Sequence, residues 1–265
     1  MLIKEPIHGV VVSVGYADYL EISLTHNRPM FGHCVVATSP DDKESQRVAG
    51  RHACDVVITE VAKRRTQDGK GFNKGAMIER ALNQLPGFGW RIHFDADIVF
   101  PGNMLSRLTH ALHDKEAIYG VDRMNVVNWE GYERLVGSGF TSRGFEHHHF
   151  LNHSIDRSEV GSRLVHHDEG WAPIGYWQCW HHDSEYSGMY RVRGYAAGSN
   201  SAARDDVQFA LRWDRHKRIL IPEFYVAHLV TDDSRYGANW KGRKTRPFAP
   251  PKNRPSTPLP HGYGA

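Results

Sequence analysis

Long apolar runs are missing from this sequence. No stretch approaches the roughly 20 residues that a membrane helix needs, and the N-terminus has no signal-peptide pattern. The expectation is a protein of the cytoplasm, the host cytoplasm if the chain is phage-encoded, with no membrane partner. Cysteine is scarce as well. The three present, Cys34, Cys54 and Cys179, form no CxxC, so neither a zinc ribbon nor a disulfide framework is indicated. A strong charge of one sign is also lacking. A formal net charge of +3 says little about partners and argues against a protein whose whole role is to bind nucleic acid.

What the chain does have is an ordinary globular composition: 265 residues, 40% hydrophobic and 24% charged. That is enough for a real core in one large domain or two small ones. Histidine is abundant, with 18 residues, many of them between positions 147 and 182. From about 246 onward the chain is rich in proline and basic residues and reads as an extended tail.

The first half alternates strand-like and helix-like segments. "GVVVSVG", "HCVVATS", "CDVVITE" and "WRIHF" are short β-branched or aromatic runs. Between them, "ADYLEISLTHN" and "GFNKGAMIERALNQL" carry apolar residues at helical spacing, with Met77, Ile78, Ala81, Leu82 and Leu85 on one face of the second. This rhythm predicts an α/β fold with a mixed, mostly parallel sheet flanked by helices. From about Arg123 to Asp183 the rhythm fails, and a His- and aromatic-rich insertion is expected. "YWQCW" reads as a strand within it or as an aromatic platform for an acceptor. After it, "ARDDVQFALRWDRH" reads as a helix that opens at an aspartate pair, and "RILIPEFYVAHLV" as one or two closing strands.

The chemistry begins in "RIHFDADIVFP", where an apolar strand ends in Asp95 and Asp97. Two carboxylates held close repel unless they face water or share a cation. Oxygen ligands of this kind suit Mg²⁺ or Mn²⁺, which keep positions open for phosphate oxygens. His228, in "YVAHLV", is either a packed histidine or a third ligand, and an imidazole favours Mn²⁺. Lys241, Arg243 and Lys244 are either a solvated basic stretch or contacts for a diphosphate. Asp205 and Asp206 suit a helix N-terminus, and one of them is also suited to act as general base.

Taken in order, "VVVSVGYADYLEISL", "VVATSPDD", "FNKGAMIERAL", "WRIHFDADIVFP", "RDDVQFALRW" and "VAHLV" resemble the glycosyltransferases of the GT-A fold, close to the family-2-like, DxD-containing group. The resemblance covers residues 9 to 245 and implies one catalytic domain over 1–245, with a nucleotide-sugar half up to about 122, an acceptor half after it, and a tail over 246–265. It implies a divalent metal on Asp95, Asp97 and His228. It also implies a donor site drawn from Tyr16, Asp18, Asp41, Asn73, Lys74, Asp95, Lys241 and Arg243. The family's acidic pair before a helix reads "DD" here, which makes Asp206 the base of an inverting reaction, with Asp205 beside it. The implied partner is a nucleoside-diphosphate sugar, UDP-linked for preference.

The acceptor stays open: a glycan, a small molecule, or a hydroxymethylated base in phage-type DNA, for which Trp177 and Trp180 would supply stacking faces. Two other readings stand beside this one, a metal-dependent hydrolase or phosphatase and a nucleic-acid-binding protein without catalysis. Against the hydrolase, the histidines lack an HExxH or similar spacing.

Overall fold

In the computed structural model, six consecutive buried residues, Ile7–Val12, form β1. The structure describes residues 5–63, 73–144, 164–166, 170–185, 195, 205–231, 243 and 245–251. β-Branched side chains favour the strand, and burial on both faces explains a continuous apolar run where a half-exposed strand would alternate. β2 (His33–Thr38) and β4 (Trp90–Asp95) flank β1 in parallel, and β3 (Asp55–Ile58) extends the sheet beyond β2.

Helices α1 (Ala17–Asn27) and α2 (Lys43–Arg51) cover one face. They bury Leu20, Leu24 and Val48 in one core with Phe94 and Tyr119. Helix α3 (Lys74–Leu82) covers the other face and packs Met77, Ile78 and Ala81 in a second core with Val10 and Val35.

The chain continues through β5 (Ile98–Val99), α4 (Met104–Ala111), β6 (Ile118–Val127), α5 (Asn128–Gly137) and α6 (Phe140–Arg143). After these come β7 (Leu164–His166), β8 (Gly170–Ala172), β9 (Trp177–His181), α7 (Asp205–Ala210) and β10 (Arg218–Val230). Eight strands form one sheet in the order β3-β2-β1-β4-β9-β6-β10-β5, while β7 and β8 pair separately. Within the large sheet β9 and β5 run against the others. This is the mixed, mostly parallel α/β architecture expected from the alternation. β9 and β10 join the same sheet as β1 to β4, so both halves of the chain build one layer.

Three details differ from the sequence reading. The alternation does not fail at Arg123, because β6 runs to Val127 and α5 and α6 carry regular structure on to Arg143. The His-rich stretch 145–163 lies outside the described residues. "YWQCW" is no surface platform: β9 is wedged between β4 and β6, and Trp177 and Trp180 are both 0% exposed. A strand with paired neighbours and covered faces offers no ring to an acceptor, so the base-stacking role expected of these two side chains is withdrawn. Finally, Phe248, placed by sequence in the tail, is buried and packs against Tyr19, Trp129 and Tyr132.

β10 is one strand with an irregularity between Leu220 and Tyr225. Pro222 cannot donate to the ladder, and Glu223 has φ 53°. Among the described residues, no helix is long and apolar enough to cross a membrane.

Candidate active site

Asp95 is the last residue of β4, at the carboxyl end of a strand, where ligands of open α/β sheets bind. The turn beyond it is fixed by the chain packed around it. Asn27, at the end of α1, donates to the Ile98 carbonyl at 2.8 Å and accepts from the Phe100 N–H at 2.9 Å. Ser23 donates to the same Ile98 carbonyl at 2.9 Å. β5 then pairs antiparallel with β10, setting His228 opposite Ile98, and the Leu229 N–H donates to the Asp97 carbonyl at 2.8 Å. These backbone ties bring His228 Nε2 to 3.3 Å from Asp97 Oδ2.

The two aspartates do not share a partner. Asp95 pairs through Oδ1 with the Lys74 ammonium, and Asp97 faces His228. Their side chains are 33% and 17% exposed, so both are partly withdrawn from water. Burial raises the Asp95 pKa above its ordinary value against the pull of Lys74, and the Asp97 and Asp206 charges add to the rise. For Asp97 burial works in the same direction, but His228 and Lys74 outweigh it and hold the carboxyl below its usual range. Burial also opposes the charge on Lys74, yet Asp95 and, to a smaller extent, Asp206 and Asp97 raise its pKa. The electrostatics therefore joins β4, α3 and α7 in one site.

Asp97 Oδ1 is buried and has no hydrogen-bond partner among the described residues. A buried carboxylate oxygen without a donor is costly, and it fits a cation held between Asp97 and His228, an O and N donor set suited to Mn²⁺ or Mg²⁺. No three His, Cys, Asp or Glu side chains among the described residues form a ready-made metal cluster. Of the three expected ligands, Asp97 and His228 face each other, while Asp95 pairs with Lys74.

Asp205 and Asp206 open α7. Asp205 is 1% exposed and accepts from the Gly75 N–H at 2.9 Å, joining α7 to the start of α3. Asp206 points the other way and accepts from the Gly175 N–H at 2.5 Å. Gln178 Nε2 donates to the Asp206 carbonyl at 2.9 Å, and Tyr195 donates to Gln178 Oε1 at 2.7 Å. The first aspartate is structural in its contacts. The second has its carboxylate aimed at a glycine with no side chain.

The remaining expected donor residues divide. Asp18 and Arg243 meet: Nη1 and Nη2 of Arg243 reach Oδ1 and Oδ2 at 2.5 and 2.7 Å. The Arg243 guanidinium also lies over the rings of Tyr16 and Tyr19, at 5.1 and 5.2 Å from their centroids. Burial raises the pKa of Tyr16, and the Asp97 charge adds to it, so this cradle feels the aspartate site. Asn73 is the N-cap of α3, its oxygen accepting the Ala76 N–H at 3.0 Å. Asp41 is exposed, whereas Asp42 caps α2 and accepts the Gly15 N–H at 2.7 Å. Gly15 has φ +74°, a conformation that favours glycine, so this tie closes the turn after β1. Lys241 and Lys244 lie outside the described residues.

Sequence reasoning missed three contributors. Asn27 fixes the turn after Asp97, Asn125 meets His228, and Gly175 holds Asp206. Asn125 left a faint signal, an amide inside the apolar run "RMNVV". Gly175 left none, because its contact depends on a loop brought in from 31 positions away.

No family model and no curated protein matches this chain. Among solved structures, it is similar to mannosyl-3-phosphoglycerate synthase from Rubrobacter xylanophilus, at 19% identity and TM-score 0.35, over 46% of this chain and 41% of that one. It is also similar to glucosyl-3-phosphoglycerate synthase from Mycobacterium tuberculosis with phosphoglyceric acid, at 15% identity and TM-score 0.36, over 45% and 44%. A structure of the latter with Mn²⁺, UDP-glucose and phosphoglyceric acid matches at 15% identity and TM-score 0.35, over 45% and 44%. The match spans less than half the length of each.

Proposed function

We propose that this chain is a divalent-metal-dependent glycosyltransferase that moves a sugar from a nucleoside-diphosphate sugar, UDP-linked for preference, to an acceptor hydroxyl with inversion. One observation carries the reading. At a single strand-end edge, Asp97, with an unsatisfied buried oxygen, faces His228, next to a helix that opens with Asp205 and Asp206.

Mn²⁺ or Mg²⁺, when bound, supplies the positive charge that neutralises the leaving nucleoside diphosphate. Asp97 and His228 are the residues to hold it. Lys74, kept charged by Asp95, adds a second cation at the same edge, suited to a phosphate oxygen. Tyr16 and Asp18 line the turn after β1, where the nucleoside is expected. Asp206 takes the proton from the acceptor hydroxyl as that oxygen attacks the anomeric carbon on the face opposite the leaving group. Glycan, small-molecule and modified-DNA acceptors all present such a hydroxyl, but the DNA version has lost its two stacking tryptophans.

The test is Asp206→Asn. UDP binding in Mn²⁺ should stay within a factor of two or so, while turnover of a nucleotide sugar falls by about 10² or more. Equal loss of UDP binding would move Asp206 into the donor site. A lower melting temperature with unchanged turnover would reduce it to a helix residue.

A further inference from the structure

We infer that Asn125 is a positioning residue of the cation site, orienting the His228 ring so that Nε2 is the nitrogen presented to the metal. This rests on the proposed cation site and extends it by one residue that the sequence did not suggest. Asn125 and His228 are register partners on the parallel strands β6 and β10, so their side chains leave the sheet on the same face. Asn125 Oδ1 lies 2.9 Å from His228 Nδ1. Both residues are buried, at 6% and 5% exposure, which leaves little water to compete for the contact.

A carbonyl oxygen only accepts, so Nδ1 carries the hydrogen. In the neutral ring the lone pair is then left on Nε2, the atom 3.3 Å from Asp97 Oδ2. This lone pair and the Asp97 oxygens, Oδ1 of which is unpartnered among the described residues, are set to converge on one cation, whereas a charged ring pairs with Asp97 directly. Without Asn125 the ring could take the other tautomer, putting a hydrogen where the metal must sit, or rotate away from Asp97. Metal-binding histidines commonly have the second nitrogen fixed in this way. An amide is also a poor strand former among valines, so contact with His228 gives its presence in β6 a physical reason.

The experiment titrates Mn²⁺ into the full chain with UDP present, following free Mn²⁺ by electron paramagnetic resonance, with melting temperature recorded for every variant. Asn125→Leu should weaken Mn²⁺ about 10–100-fold. Asn125→Asp, which keeps an acceptor at the same place, should bind at least as tightly as the parent. Leu binding like the parent would overturn the inference and leave the cation reading standing. Loss in the Asp variant equal to that in Leu would also overturn it, since the acceptor would then not be the active feature. Failure of the parent chain itself to bind Mn²⁺ would overturn both. Should the Leu variant not fold, nitrogen chemical shifts of the His228 ring in the parent chain with Mg²⁺, at a pH where the ring is neutral, decide the matter. Hydrogen on Nδ1 supports the inference, and hydrogen on Nε2 overturns it.

Discussion

At Gly175 the absence of a side chain is itself a requirement. A Cβ there would lie 2.8 Å from both Cβ and Oδ2 of Asp206, closer than real Cβ contacts come. Gly175→Ala must therefore push the Asp206 carboxylate aside or break its 2.5 Å bond to the residue 175 N–H. A shift of an ångström at a catalytic group costs up to about 10²-fold in rate, so turnover should fall by about 10–100-fold with UDP binding retained. In an Asp206→Asn background the same change should add little, because the two substitutions remove one function. Full additivity would mean that Gly175 acts elsewhere. The pairing of each DxD aspartate with its own partner is a lesson at the same scale. "DADIVFP" announced an acidic site, but nothing local to it reveals that Lys74 takes Asp95 while His228 takes Asp97. Those partners arrive from 21 and 131 positions away.

Among the elements, those with a period were legible and those set by contact were not. α1 and α3 follow from apolar spacing, because each buries one face against the sheet, and β1 to β4 follow from short β-branched or aromatic runs. β9 was legible as a strand, but not its burial: a strand surrounded on all sides has no periodicity to separate it from an exposed aromatic platform. Caps fall between these cases. Asn73 reads as a donor ligand by resemblance, yet its oxygen is spent on the Ala76 N–H at the start of α3. Asn73→Ala should lower stability by about 0.5–2 kcal/mol, the usual cost of a lost N-cap, with UDP affinity nearly unchanged. Chemical denaturation and calorimetric titration of one variant separate the two roles, and a large affinity loss at unchanged stability would return Asn73 to the donor site.

For the whole molecule, two histidines set an acid limit on stability. Burial depresses the pKa of His8 from 6.5 to about 4, with the His33 and Arg91 charges adding to the effect, and burial does the same to His26. Both rings stay neutral in the fold while the unfolded chain takes up protons below pH 6.5. The unfolded state then binds more protons, so stability should fall as pH drops from 6.5 toward 4 and change little from this source above 6.5. Unfolding curves across that range test it. A flat response would mean that neither ring is held neutral. The C-terminal segment belongs to this scale as well: Arg243 and Phe248 fasten it to the turn after β1 and to α1 and α5, so it forms part of the candidate donor cradle.

The central claim is that Asp97 and His228 hold the cation on which donor binding depends. Calorimetric titration of UDP tests it most directly, on the parent chain in Mn²⁺, the parent chain in EDTA, and Asp97→Ala in Mn²⁺. Binding is expected in the first case and loss or severe weakening in the other two, with a melting temperature for Asp97→Ala that shows a folded chain. UDP binding of equal strength in all three would contradict the claim.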